Sequence, residues 1–176
     1  MAPYVDMEVF MRCEIPDIPG GLATLAGAIA EGGGDIHAVE VVQSDVDMVI
    51  DDLWVETRDV AAMRSHIEAL EDTRIIHTAL SRGMPGDATT RLAAGIDAVL
   101  SGAMSPADAL PTLIGGLLRA DTAQIAQPNH RYEKVNRKVL RLPVSDGVLV
   151  LTREYRFLDA ETQRARQILT VCERAW

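Results

Sequence analysis

The sequence predicts a mixed α+β chain of two small units, the first a βαββαβ arrangement with two helices on one face of a four-stranded antiparallel sheet. Three observations carry this. From Met7 to Ile15 the odd positions (Met7, Val9, Met11, Cys13, Ile15) are apolar and the even ones hold Glu8, Arg12 and Glu14, the period of a half-buried strand, with Phe10 as its exception. Leu22, Leu25, Ala26 and Ile29 then fall at helical spacing, and Gly32-Gly33-Gly34 stop the helix. Last, Ser81-Arg82-Gly83-Met84-Pro85-Gly86-Asp87 gathers two glycines and a proline. That break places a first unit at residues 1–81, a linker at 82–87 and a second unit at 88–176.

The turn between the first strand and the first helix is Asp17-Ile18-Pro19-Gly20-Gly21. Pro16 and Pro19 remove backbone donors and end strand pairing, while the glycines allow positive φ or a close approach to the backbone. After the glycine stop, Asp35 to Gln43 is valine-rich and reads as a strand, and Gln43-Ser44-Asp45 as a hairpin turn. Its return strand, Val46 to Thr57, is apolar on both faces: Val49, Leu53 and Val55 on one, Met48, Ile50 and Trp54 on the other. Such a strand is central or lies at a subunit contact. Thr57 or Asp59 caps a helix with the stripe Val60, Met63, Ile67 and Leu70, and Arg74 to Leu80 closes the unit.

In the second unit Leu92, Ile96, Val99 and Leu100 mark a helix. Ser105-Pro106-Ala107-Asp108 opens another, interrupted or restarted by Pro111, with Leu113, Ile114, Leu117 and Leu118 as its apolar face. Strands follow at 122–126, 138–144 and 148–153, the last two joined by Ser145-Asp146-Gly147. A final helix, capped by Asp159, carries Ala165, Ile168, Leu169, Cys172 and Trp176.

Composition narrows the function. With 48% hydrophobic and 24% charged residues among 176, the chain is that of a globular protein. A net charge of −9 and 4% aromatics argue against nucleic acid. No apolar run nears the ~20 residues of a membrane span, and the amino terminus lacks a signal peptide's basic flank and apolar stretch, so a cytoplasmic location is expected, without membrane association. Cys13 and Cys172 read as core residues. His37, His66, His77 and His130 share no metal-ligand spacing, and Asp45, Asp47, Asp51 and Asp52 lack the pattern of a calcium loop, so no metal or cofactor is expected; the acidic group reads as a solvated edge. Arg131, Lys134, Arg137 and Lys138 read as a charged loop. No catalytic grouping stands at recognisable spacing.

The Asp-x-Pro-Gly-x-Leu turn, with the glycine-rich stop and Asp35-Ile36 beyond it, resembles the first half of an ACT domain, the amino-acid-sensing module of biosynthetic enzymes. The likeness covers Met7 to Leu80 and implies a ferredoxin-like fold. It also implies an effector held by Asp17, Ile18, Pro19, Gly20, Gly21 and Leu22 together with Asp35 and Ile36, usually across a dimer interface. His37, beside Asp35 on the strand face opposite Ile36, is a further candidate contact. Where the family commonly has Asn, this chain has Asp35, which favours a ligand ammonium. Residues 110–126, Leu140 to Val144, Gly147 to Arg153 and Phe157 to Thr162 resemble the helix, strand, hairpin and last helix of a reduced GAF domain.

The sequence thus predicts a non-enzymatic regulatory protein that binds a free amino acid or similar zwitterion through its ACT-like unit. A homodimer rearranges on binding and signals to an unidentified protein partner. The two-sided apolar strand and the stripe ending in Trp176 motivate the dimer. The alternatives are an assembly subunit whose ACT-like sheet serves dimerisation only, and a small enzyme.

Overall fold

The computed structural model of the chain describes residues 6–127 and 136–174. His130, Arg131, Lys134 and Trp176 lie outside the described residues. Two compact units divide it, Met1–Pro85 and Gly86–Trp176.

The first unit runs β1 (Met7–Pro16), α1 (Gly21–Glu31), β2 (Gly34–Ser44), β3 (Met48–Thr57), α2 (Val60–Glu68) and β4 (Arg74–Leu80). Its sheet has the order β2-β3-β1-β4 with every neighbour antiparallel, the ferredoxin-like α+β arrangement. Val9, Met11, Cys13 and Ile15 of β1 pack with Leu53 and Val55 of β3 against Leu25, Ala28 and Ile29 of α1 and Met63 and Ile67 of α2. The helical stripe is therefore Leu25, Ala28 and Ile29; Leu22, expected within it, sits in the first turn and stays exposed.

Two glycines of the Gly32-Gly33-Gly34 run are fixed by contact. A Cβ on Gly32 would lie 2.4 Å from Met63 Cα, and one on Gly34 would meet Ile29, Met63 and Val55 within 2.9 Å. Gly33 adopts positive φ, which turns the chain from α1 into β2. Asp59 caps α2, its carboxylate accepting from the Ala62 N–H at 2.9 Å, and Thr57 Oγ1 accepts from the Asp59 N–H.

β1 and β3 occupy the middle of the sheet and bury side chains on both faces, which corrects two sequence expectations. Arg12, expected on a solvated face, is only 2% exposed, and Asp51 and Asp52, expected on a solvated edge, are buried too. Alternation does place the two carboxylates on opposite faces. Asp52 takes the Arg12 guanidinium through Nε at 2.6 Å and Nη2 at 2.7 Å, a paired fork. On the same face Phe10 packs edge-on to Trp54, ring centroids 5.5 Å apart, and Trp54 Nε1 donates to the Gly83 carbonyl at 2.9 Å. Trp54 and Ile50, whose apolar character motivated the dimer, are thus buried within one chain.

The second unit comprises α3 (Pro85–Leu100), α4 (Pro106–Leu117), β5 (Thr122–Ala126), β6 (Val139–Val144), β7 (Gly147–Thr152) and α5 (Asp159–Glu173). α3 starts at Pro85, so the last residues of the expected linker form its first turn. The Ser105 side chain caps α4, which continues through Pro111. The antiparallel sheet has the order β5-β7-β6. Leu142, Leu149 and Leu151 pack from it against Leu110, Ile114 and Leu118 and against Ala165, Leu169 and Cys172 of α5. Leu158, not Asp159, is the residue that precedes α5, and the Glu161 carboxylate accepts its N–H at 2.8 Å.

Arg153 is the polar centre of this unit. Its Nη1 donates to Leu118 O and to Glu161 Oε1, its Nη2 to Arg156 O and Glu161 Oε2, and its Nε to Tyr155 O. The guanidinium lies 4.0 Å from the Tyr155 ring centroid and 4.1 Å from that of Phe157.

Removing Asp52 takes the paired acceptor from the buried Arg12 guanidinium. Asp52→Ala is expected to cost about 3–5 kcal/mol, read from urea unfolding, whereas Arg12→Met with Asp52→Leu should recover most of that loss. A single variant as stable as wild type would show that the pair is solvated.

Candidate functional site

Gly20 opens the site. It holds φ 90° as the residue before α1 and provides no side-chain cap. A Cβ built there meets nothing within 4 Å, yet its left-handed conformation disfavours any other residue. The Gly21 N–H turns back to Ile18 O at 3.0 Å, and Thr24 closes on Gly20 O through both its N–H and its hydroxyl. Between them the Leu22 and Ala23 N–H groups have no acceptor among the described residues. Two free donors at the positive end of a helix form a seat for a carboxylate.

The turn is braced from the hairpin end of the sheet. Ser44 Oγ donates to Asp17 Oδ2 at 2.8 Å, and the Asp17 N–H donates to Asp47 O at 2.9 Å. A Cβ on Gly21 would stand 2.6 Å from Pro16 O, so that position admits glycine only. Asp17, Ile18, Pro19 and Gly20 are exposed, as is Leu22, and Gly21 partly so.

Asp35, Ile36 and His37 stand elsewhere. Asp35 pairs with Glu56 across β3, and Glu56 pairs with Glu8 of β1, whereas Pro16, just before Asp17, pairs with Met48. Nine residues of β1 separate the levels of Asp35 and Asp17, about 30 Å at ~3.3 Å per residue. One chain therefore does not bring the two carboxylates together. Ile36 turns to the helix side and packs on the core. His37 occupies an irregularity in the β2–β3 ladder, its ring nitrogens 3.8 Å from Glu8, 3.8 Å from Asp35 and 3.6 Å from Glu56. Three carboxylates around one imidazole make this end of the sheet strongly acidic.

Sequence reasoning placed Asp51 on a solvated edge and gave it no role. It lies opposite Cys13 on the helix side of β3, is 1% exposed, and its Oδ1 finds no hydrogen-bond partner. Burial, then Asp52, then Asp17 raise its carboxyl above the ordinary 3.8. The Cys13 thiol is pushed up to about 12 by burial, with Asp51 and Asp52 adding to it, so it stays a protonated core residue. A double acid inside an otherwise valine- and leucine-rich strand, with one arginine to pair it, was the available signal.

Among the described residues no group of three or more His, Cys, Asp or Glu side chains could hold a metal ion, and no helix is long and apolar enough to cross a membrane. No protein-family model matches the chain, and no curated protein matches it. Among solved structures, it is similar to the ligand-free regulatory subunit of aspartate kinase from Thermus thermophilus, at 13% identity and a TM-score of 0.37, over 97% of this chain and 93% of that one.

A raised carboxyl pKa means that the folded chain holds the Asp51 proton more tightly than the unfolded chain does. The cost of the ionised group is then full at neutral pH and vanishes as the pH falls through the folded value toward 3.8. Asp51→Asn is expected to melt above wild type at neutral pH, by a margin that shrinks toward about pH 4. Differential scanning calorimetry across that range checks it, and a margin independent of pH would place the cause outside the carboxylate.

Proposed function

We propose that the first unit is an ACT-type regulatory module that binds a free amino acid or similar small zwitterion, and that the chain acts without catalysis. The observation that carries this is the open α1 terminus: the free N–H groups of Leu22 and Ala23 suit a ligand carboxylate, and Asp17, at the start of the same turn, is the acceptor offered to its ammonium. The Gly20 backbone leaves the ligand room.

The remaining residues join this site in a homodimer. β2 is an edge strand whose Val39 and Val41 stay exposed, Val41 by 58%. It runs from the Asp35 end of the sheet to Ser44, which holds Asp17. Two β2 edges paired antiparallel about a twofold axis set the Asp17 turn of one protomer against Asp35 and His37 of the other. Each site is then shared, and ligand binding is sensed as a change in how the protomers meet. Residues 88–176 are read as a reduced GAF-like domain, supported by the order helix, strand, hairpin, helix. The setting is cytoplasmic and the output an unidentified protein partner.

A thermal-shift screen of the free amino acids identifies the ligand, and isothermal titration then reads the variants. Asp17→Ala and Asp35→Ala should each remove a charge-assisted hydrogen bond of ~1.5–3 kcal/mol, weakening binding about tenfold to a hundredfold. Gly20→Val should abolish it by strain and obstruction. Mixing the Asp17→Ala and Asp35→Ala chains is the decisive arm, because a mixed dimer has one site with both carboxylates and one with neither. High-affinity sites should reappear on mixing; if they do not, the site is not shared. A dimer that responds to no amino acid would support the assembly reading instead.

A further inference from the structure

Within the second unit, α3 and α4 meet along a seam closed at one point and open beside it. An added Cβ at Gly95 would lie 2.0 Å from Leu113 Cδ2, so the helices touch there. Next to that contact lies a cavity of about 440 Å³. Ala88, Arg91, Leu92 and Gly95 line it from α3, at i, i+3, i+4 and i+7, a single helical face. From α4 come Ala109, Leu113, Gly116 and Leu117, while the core of the unit takes Leu110, Ile114 and Leu118. α4 thus has apolar surface on two sides, and among the described residues the core fills only one. Small residues leave the volume: a Cβ at Gly116 would meet nothing within 4 Å.

The polar groups at the cavity are few and unequal. Arg91 makes no hydrogen bond or ion pair among the described residues. Asp108 is already engaged, accepting from Ser105 Oγ at 2.6 Å in the first turn of α4, where the helix terminus favours its charge. Thr112 adds a hydroxyl. An uncompensated guanidinium beside a largely apolar hollow fits a ligand with one anionic end and a hydrocarbon body. At ~30 Å³ for each water-sized group, the hollow holds about fifteen such groups.

We propose that this cavity binds an apolar monocarboxylate of roughly ten to fifteen non-hydrogen atoms. Its body lies along the α3–α4 seam, and its carboxylate meets Arg91 and the Thr112 hydroxyl. The site is separate from the α1 turn and stands or falls independently of it.

The test titrates decanoate into the full chain by calorimetry, below the concentration at which decanoate self-associates, with decanol and decylamine as controls. Wild type should bind one decanoate per chain and melt at a higher temperature in its presence. Gly116→Leu, whose Cβ would meet nothing within 4 Å and whose side chain would occupy the hollow, should fold and lose binding. Arg91→Gln, an exposed change, should weaken decanoate about tenfold or more while leaving decanol unaffected. No saturable decanoate binding in wild type, undiminished binding by Gly116→Leu, or decylamine binding as tightly as decanoate would each overturn the proposal.

Discussion

β1 and β2 both run antiparallel to β3, so they point the same way, and the arrangement of the first unit depends on that. The turn that ends β1 and the residues that begin β2 are held at opposite ends of one sheet. Ladder hydrogen bonds and an interdigitated core fix that separation, and no rearrangement of side chains closes it. A ligand site drawing on both ends would therefore need two chains, as the proposed pairing of exposed β2 edges provides. The same constraint places acidic groups at both ends: Asp17 by the hairpin, and Asp35, Glu8 and Glu56 around His37.

Much of the first unit was legible because its signals are local. Alternation in β1, the proline–glycine turn and the glycine stop each act within a few residues. What covers each face of a strand is not local, and that is where the reading of Arg12, Asp51 and Asp52 went astray. Leu22 met a similar limit: its spacing matches the buried stripe, but it stays exposed in the first turn of α1. At the candidate site, the turn could be read as glycines and an acid, whereas the free Leu22 and Ala23 N–H groups follow from how that turn closes. In the second unit the Asp-Gly hairpin signal was strong, with Gly147 packed so that a Cβ would lie 2.4 Å from Ala126 O. The role of Arg153 left no trace in periodicity, since its partners are mostly carbonyls that every residue carries.

The two units use buried arginine differently. Arg12 meets Asp52 across neighbouring strands, a pair that fixes register on one face of a sheet. Arg153 gathers the end of α4, the chain after β7 and the start of α5, supplying donors to backbone acceptors that helix ends and loops leave open. It stands in for regular secondary structure at the point where three segments meet, and two aromatic rings shield it from water. Asp51 has no such provision and is the least compensated charge in the first core.

Gly32 sets the backbones of α1 and α2 against each other at Met63, too close for any side chain between them. Such a contact neither compresses nor slides easily, so it works as a fulcrum. α1 extends from it for 11 residues, about 16 Å at ~1.5 Å per residue. A shift of ~1 Å at the Gly20 end is then a tilt of roughly 4° about Gly32, carried through a stiff rod and not dissipated in side-chain adjustment. In mechanical terms the first helix is a lever hinged at one end: its free arm lies at the open turn, and its pivot bears on α2.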